Sequence, residues 1–432
     1  MTSEPVVNLL PLLSSRQDYF DYLDRWTSGT VRDLQEHMTK RALVKAFLLE
    51  TSQSNGSRDA VISLENSGQV VTKVDDGLFR LRLPNEPSDW ALVEVEDQRY
   101  PVLYTALKSE DALSRQSLLL QSSSLLDNAW FASAMFQRLW QLVREAYPSF
   151  RYSQIVFEHE SVFEEPDEVL SLSLSSGTEV LTRFNDSQDT EEVNEETNQN
   201  ADAIRIAPER RRAILRITER IGRLDDALNH MRPYYDPLES IVRLRVPAPG
   251  KGGHDVYFDG RFVNRSDSIT SLRQTIEDVK RIYRHSTQAA EKAAWPSSLE
   301  SNAPAQPISM GAPLYVKFSQ PLSLKSFERW IASLRQRNNR FRLWGTPIQR
   351  GPNKIHMYAV DNHLWQPIDL EITTDHLYAL LPAGTCGNTI HRLVTNIQRF
   401  IDPKLETFIG DQPYESFMER APIYGGTKKL NA

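Results

Sequence analysis

The chain has 432 residues and a formal net charge of −7, from 57 acidic and 50 basic side chains, and hydrophobic residues make up 40% of it. That composition is ordinary for a globular protein, and the length suits roughly three domains at about 150 residues each. A single cysteine excludes an internal disulfide and any zinc site built from four cysteines.

The N-terminus carries a short apolar patch, residues 6–13, interrupted by Asn8 and Pro11, and Glu4 is its first charged side chain. A secretory signal needs a basic start instead. No run reaches the ~18 apolar residues of a membrane span. The expected location is the cytoplasm, with no membrane partner.

Charge is unevenly distributed. Residues 1–150 carry 15 basic and 20 acidic side chains, residues 151–204 carry 2 and 14, and residues 205–432 carry 33 and 23. The net values are therefore −5, −12 and +10. Such asymmetry points to an anionic partner or to an acidic tail-like segment.

In chain order, residues 17–26 and 31–49 show apolar side chains at helical spacing. Between residues 60 and 107 the period falls to two, and five short strands are expected, with Asp76-Gly77 as a tight hairpin turn. They suggest a small antiparallel sheet or barrel. Residues 128–147 form an amphipathic helix with Trp130, Met135, Leu139, Trp140 and Val143 as core candidates, and a strand follows to residue 160. Residues 1–184 thus make an N-terminal α+β domain. Residues 185–204 are almost wholly polar and acidic and read as a disordered linker, because they cannot bury enough surface to offset ordering entropy.

Ile214, Ile217, Ile221, Leu224, Leu228 and Met231 recur at spacings of three and four, as do apolar residues from Ile269 to Ala293. Between them, residues 241–246 and 255–264 alternate around Asp259-Gly260. The economical expectation for residues 205–295 is a heptad helix pair, an arm carrying a β-hairpin tip and docking a protein partner. A Pro/Ser-rich linker, residues 296–311, precedes a basic C-terminal domain, residues 312–432. There a strand, a helix, four strands and a helix predict an antiparallel α+β sandwich. The fold class expected is multi-domain α+β.

Three constellations are candidates for chemistry. The first is basic: Lys317, Lys325, Arg329, Arg335, Arg337, Arg340, Arg342, Arg350 and Lys354, with Glu328 as the one acid, are interleaved with Phe327, Trp330, Phe341 and Trp344. Guanidinium groups bind phosphate and aromatic faces stack on unpaired bases, so this is a nucleic-acid or polyanion footprint. The competing reading places Phe327 and Trp330 in a core and pairs the arginines with the chain's own acidic segment.

The second is Cys386, five residues ahead of which, counted between them, stands Arg392 in the run Cys-Gly-Asn-Thr-Ile-His-Arg. This spacing resembles the phosphate loop of cysteine-dependent phosphatases, and Gly387-Asn388 resembles the low-molecular-weight group. The resemblance implies Cys386 as a thiolate nucleophile at a helix N-terminus and Arg392 as a phosphoryl ligand, with Asp375 or Asp411 as general acid. It covers seven residues, and Leu393 stands where that family carries Ser or Thr. The structural alternative is a helix capped by Asn388 or Thr389 with Cys386 buried.

The third is a group of histidines and carboxylates, His356, Asp361, His363, Asp369, Glu371, Asp375 and His376, whose spacing matches no metal-ligand motif. Alternating exposed strand residues explain it, so no metal is expected. Residues 249–253 are Gly-rich with a lysine but lack Walker spacing, and no dinucleotide or nucleophile-elbow motif occurs. No cofactor is expected.

The preferred functional expectation is a non-enzymatic adaptor of a prokaryotic, defence-related assembly whose C-terminal module contacts nucleic acid. The alternatives are a phosphatase-like enzyme centred on Cys386 and Arg392, and a protein-interaction module whose basic face the acidic linker masks.

Overall fold

The computed structural model describes residues 10–35, 42–52, 59–163, 204–207, 212–234, 236–294, 312–336, 339–363, 365–381 and 386–420. The chain is α+β with two antiparallel sheets, and no barrel closes among the described residues. No described helix is long and apolar enough to cross a membrane.

In chain order the first part runs α1 (Arg16–Gln35), β1 (Lys45–Thr51), α2 (Ala60–Glu65), β2 (Val70–Asp75), β3 (Leu78–Arg82), β4 (Ala91–Glu94), β5 (Val102–Thr105), α3 (Ser109–Ser122), β6 (Leu126–Asn128), α4 (Ser133–Ala146) and β7 (Tyr152–Glu160). Then come β8 (Ile204–Ala207), β9 (Arg212–Arg220), α5 (Ile221–Met231), β10 (Ile241–Pro247), β11 (Gly253–Tyr257), β12 (Arg261–Asn264) and α6 (Ile269–Ala294). The first sheet has the order β2-β3-β4-β5-β1-β12-β11-β10-β7-β9-β8, with β6 paired to β1.

Two expectations for the first part change. The apolar run at residues 45–49 is a strand, not the end of a helix, because β1 lies at the sheet's centre between β5 and β12 and is buried on both faces. A short run buried on both sides has no period to distinguish the two. Residues 60–65 are helical, with Asp59 accepting from the amides of Val61 and Ile62 as N-cap. The Asp76-Gly77 turn stands as expected, Gly77 at φ +65° joining β2 to β3.

The expected arm is not formed. Residues 212–220 pair with β7 as a strand, only residues 221–231 are helical, and β10–β12 sit between β7 and β1 within the first sheet. Leu215 and Ile217 are buried at alternate positions, and a β-branched run beside an unpaired strand gains more from the ladder than from an isolated helix. The hairpin is present, but as central strands rather than a tip. The helix from Ile269 is real and packs its apolar seam into the main core, where its helical neighbours include α1, α4, α8 and α9, so the seam is not reserved for a heptad partner. At the β11–β12 turn, Gly260 has φ +75°, and a Cβ there would lie 2.7 Å from the carbonyl oxygens of Ala129 and Leu48. Gly260→Ala is expected to cost about 2–3 kcal/mol, combining left-handed strain with that clash, read from urea unfolding midpoints.

The second sheet is built from β13 (Leu314–Lys317), β14 (Leu343–Gly351), β15 (Lys354–Asp361), β16 (Gln366–Thr373), β17 (His376–Leu380), β18 (Glu406–Ile409) and β19 (Gln412–Pro413), in the order β14-β15-β16-β17-β13-β18-β19. With it go α7 (Leu324–Ser333), α8 (Gly387–Phe400) and α9 (Glu415–Glu419). Beyond the last expected helix, the chain adds two further strands and a short helix. One face of this sheet, including Ile355, Met357, Leu370, Ile372 and Leu377, shares a core with α7 and α8. The expected linkers lie outside the described residues, apart from Ile204 at the start of β8.

Candidate functional site

The loop at Cys386 leads into α8, whose residues 387–397 are all buried. A helix hidden on every side must satisfy each polar side chain internally. Most of them are engaged in two clusters, one toward α6 and β1 and one toward β6 and β15, while Asn388 Nδ2 and Thr395 Oγ1 have no hydrogen-bond partner among the described residues.

In the first cluster the Cys386 thiol donates to Glu50 Oε1 at 2.8 Å. Arg99 forks between two carboxylates, meeting Glu50 at 2.7 Å and binding Glu291 as well, and its Nη2 lies 3.6 Å from Cys386 Sγ. The Gly387 amide, at the helix N-terminus, donates to Glu291 Oε1 at 2.9 Å. The Tyr283 hydroxyl lies 2.5 Å from Glu50 Oε2 and 2.9 Å from Asn388 Oδ1. Burial opposes ionisation of Glu50, but the Arg99 charge outweighs it and holds the carboxyl below its usual range. Burial and then Glu50 push the Cys386 thiol well up, so it stays protonated. Glu50, Glu291 and Cys386 place ligand-type atoms within 4.8 Å of one another, and the Arg99 guanidinium already touches all three. His391 completes the cluster, its ring 2.6 Å from the Tyr414 hydroxyl and 3.1 Å from that of Thr287, and burial lowers its pKa to about 4.

Arg392 belongs to the second cluster. Its guanidinium bonds Asp127, Asp361 Oδ1 at 2.7 Å and the Phe341 carbonyl at 3.0 Å. Thr389 donates to Asp361, and Arg342, at φ +52°, reaches Asp127 at 2.8 Å and the carbonyls of Leu120 and Leu126. Burial opposes charge on Asp127, but Arg342 and Arg392 override it and hold the carboxyl far below its usual range. His363 is fully buried beside this group, and neither ring nitrogen has a hydrogen-bond partner among the described residues.

The structure does not bring Cys386 and Arg392, the expected catalytic pair, together. Residues 387–400 are helical, and six residues at 100° each turn Arg392 away from the side that Cys386 faces. The anion place at the helix N-terminus is taken by Glu291, the thiol is protonated, and the arginine is spent on two carboxylates. Asp375 and Asp411 are exposed.

The nine expected basic residues do not form one patch. Lys317 pairs with Glu406 at 3.0 Å and Lys354 with Glu371 at 2.8 Å. Arg340 lies over the Phe400 ring and 3.4 Å from Glu160, while Arg342 is internal. Lys325 and Arg329 lie on α7, Arg335 and Arg350 are exposed, and Arg337 falls outside the described residues. Phe327, Trp330 and Phe341 are core, and Trp344 is exposed. Of the histidine–carboxylate group, His356, Asp369, Glu371 and His376 share the outer face of the second sheet, whereas Asp361 and His363 turn inward.

What the structure does bring together on that outer face is aromatic. Strand register places Ile348, His356, Glu371, Tyr378, Tyr315 and Phe408 in one row across six strands. The Tyr315 and Tyr378 rings stack 4.5 Å apart, and Tyr315 and Phe408 lie 6.1 Å apart. Trp344 (47% exposed), Tyr358 (61%) and Tyr378 (37%) are open to solvent. The signal was present as alternation in β15 to β17, but the sequence alone does not align a row across strands far apart in the chain.

The comparisons with known proteins follow this architecture across both sheets. The family model for MJECL33-like proteins matches residues 12–223 and 253–415. The chain is 22% identical to the "uncharacterized protein MJECL33" of Methanocaldococcus jannaschii, over 95% of this chain and 97% of that one. No solved structure matches. With the match spanning both sheets and most of their helices, the chain belongs to the MJECL33-like protein family.

Proposed function

We propose that the chain is a non-enzymatic adaptor that holds single-stranded nucleic acid on the outer face of its second sheet. The observation that carries this reading is the aromatic row Tyr378, Tyr315 and Phe408, flanked by exposed Trp344 and Tyr358. An antiparallel sheet presenting aromatic rings to solvent stacks unpaired bases, and a duplex keeps its bases out of reach. The non-enzymatic part is supported by the two buried clusters, in which Cys386 and Arg392 are each already engaged by the chain itself.

Electrostatics set the character of this binding. Lys317 and Lys354 on the face are paired with Glu406 and Glu371, so few cations are available to displace counterions. Affinity should therefore rest on stacking and depend only weakly on salt. Fluorescence anisotropy with a labelled ten-nucleotide single strand tests it. Tyr315→Ala and Tyr378→Ala should each weaken binding roughly tenfold, since a stacked base contributes about 1–3 kcal/mol. Binding unchanged in the double variant would remove this reading. The protein partner belongs to the same proposal and is sought by co-purification, at a surface other than the arm that residues 205–295 do not form.

A further inference from the structure

Glu371 lies on β16 between histidines of the two neighbouring strands. Register pairs it directly with His356 on β15, and His376 opens β17 on the other side. His356 Nε2 is 2.8 Å from Glu371 Oε2, and His376 Nε2 is 3.9 Å from Glu371 Oε1. Two imidazole nitrogens therefore face the two oxygens of one carboxylate. The group is open to solvent, with His356, Glu371 and His376 side chains 46%, 30% and 25% exposed.

The His376 ring is held in place. Its Nδ1 lies 3.1 Å from the Thr373 hydroxyl, so Nε2 is the nitrogen left to face the carboxylate. Tyr378 meets the ring edge-on at 5.0 Å, and Tyr315 lies at 5.8 Å. Metal-binding histidines are oriented in this way, one ring nitrogen engaged by a neighbouring group and the other by the ion. A cation already sits at the carboxylate: Lys354 Nζ is 2.8 Å from Glu371 Oε1. That pair is half-exposed, and such pairs contribute little. Lys317, opposite His376 on β13, is turned to Glu406 at 3.0 Å. Exposed Asp369, two residues back on the same strand and about 7 Å away, adds negative charge.

We propose that His356, Glu371 and His376 form a binding site for a divalent transition ion of the zinc class. The donor set decides the class: imidazole nitrogen with carboxylate oxygen suits zinc, whereas magnesium and calcium take oxygen ligands. With bonds of about 2.0–2.2 Å, the ligand atoms of a tetrahedral zinc stand about 3.3–3.4 Å apart. The two contacts to Glu371, 2.8 Å and 3.9 Å, straddle that separation. Rotation of half-exposed side chains brings both rings onto one ion, with Lys354 swung away. Three protein ligands leave the fourth position open to solvent or to an anionic oxygen. The ligands stand 15 and 5 residues apart in the chain, so strand register rather than a linear motif assembles them. The site does not depend on reading this face as a nucleic-acid platform.

Isothermal titration of the full chain with zinc chloride tests the proposal. One equivalent should bind at this site, and excess magnesium should not displace it. His356→Ala and His376→Ala should each weaken binding more than tenfold, since even the outer partners of a metal ligand contribute about 10–100-fold. Both side chains lie on the open face, so the fold is not at stake. Lys354→Met should tighten binding about two- to fivefold, because the ion no longer competes with an ammonium group for Glu371. Trp344→Ala, on the same face but outside the group, should leave the affinity unchanged. The proposal is overturned if no equivalent binds at about 100 μM zinc. It is also overturned if the double variant His356→Ala/His376→Ala keeps the parent affinity, which would assign the ion to another place such as the buried Glu50, Glu291 and Cys386.

Discussion

Arg392→Ala is expected to lower the free energy of unfolding by about 3–5 kcal/mol, the usual consequence of removing one partner from a buried ion cluster. Asp127 and Asp361 are both fully buried against this guanidinium, which also satisfies the Phe341 carbonyl. Asp127 would keep Arg342 and Asp361 would keep the Thr389 hydroxyl, so the carboxylates are weakened rather than abandoned. Arg392→Lys should recover little, because a single ammonium cannot replace three donors held in a plane. Asp361→Asn in the Arg392→Ala background should recover part of the loss by removing an unpaired charge. Urea midpoints read at constant slope give all three values, and an Arg392→Ala chain within 1 kcal/mol of the parent would contradict the burial of this cluster. A catalytic arginine facing an open phosphate site predicts that small effect, so the experiment separates the two roles.

Acidification should destabilise the fold in two stages. His391 and His254 are buried, and that burial lowers each pKa from 6.5 to about 4. Below pH 6.5 the unfolded chain takes up protons that the folded chain refuses until about pH 4, so stability falls with pH across that window. At about 1.4 kcal/mol per unit, each histidine contributes a loss of about 3 kcal/mol by pH 4. The carboxyls of Asp127, Asp255, Glu50 and Glu158 behave differently. Burial disfavours their charge, but adjacent arginines outweigh it and hold each folded pKa below its unfolded value. Their contribution is present above about pH 4 and is lost only below it. Unfolding midpoints at pH 7.5, 5.5 and 4.5 check the first stage. His254→Gln should flatten the decline between pH 7.5 and 4.5, and an equally steep decline would show that His254 is not buried in its neutral form.

Local pattern identified most of the elements. The strands of the C-terminal half, the long helix from Ile269 and the hairpins at Asp76-Gly77 and Asp259-Gly260 are written in period and turn chemistry. Phe327 and Trp330 read correctly as core alternatives to base platforms, because helical spacing puts them on one apolar face. Where the same residues fit two periods, the pattern misled. Ile214, Ile217 and Ile221 satisfy a heptad, yet the first two lie in a strand and only the third begins a helix.

The candidate sites were less legible than the elements. The spacing of Cys386 and Arg392 was visible, but its meaning depended on Glu50, Arg99, Asp127, Glu291 and Asp361, which come from distant parts of the chain. Conversely, the aromatic row is assembled from strands whose order in the sheet differs from their order in sequence. By itself the sequence determined composition, the α+β class, the positive back half and most local structure, since those depend on neighbours within a few positions. The tertiary structure alone decided which charges meet. A buried carboxylate beside an arginine cancels it, and a net charge counted along the chain does not show which charges are paired in this way.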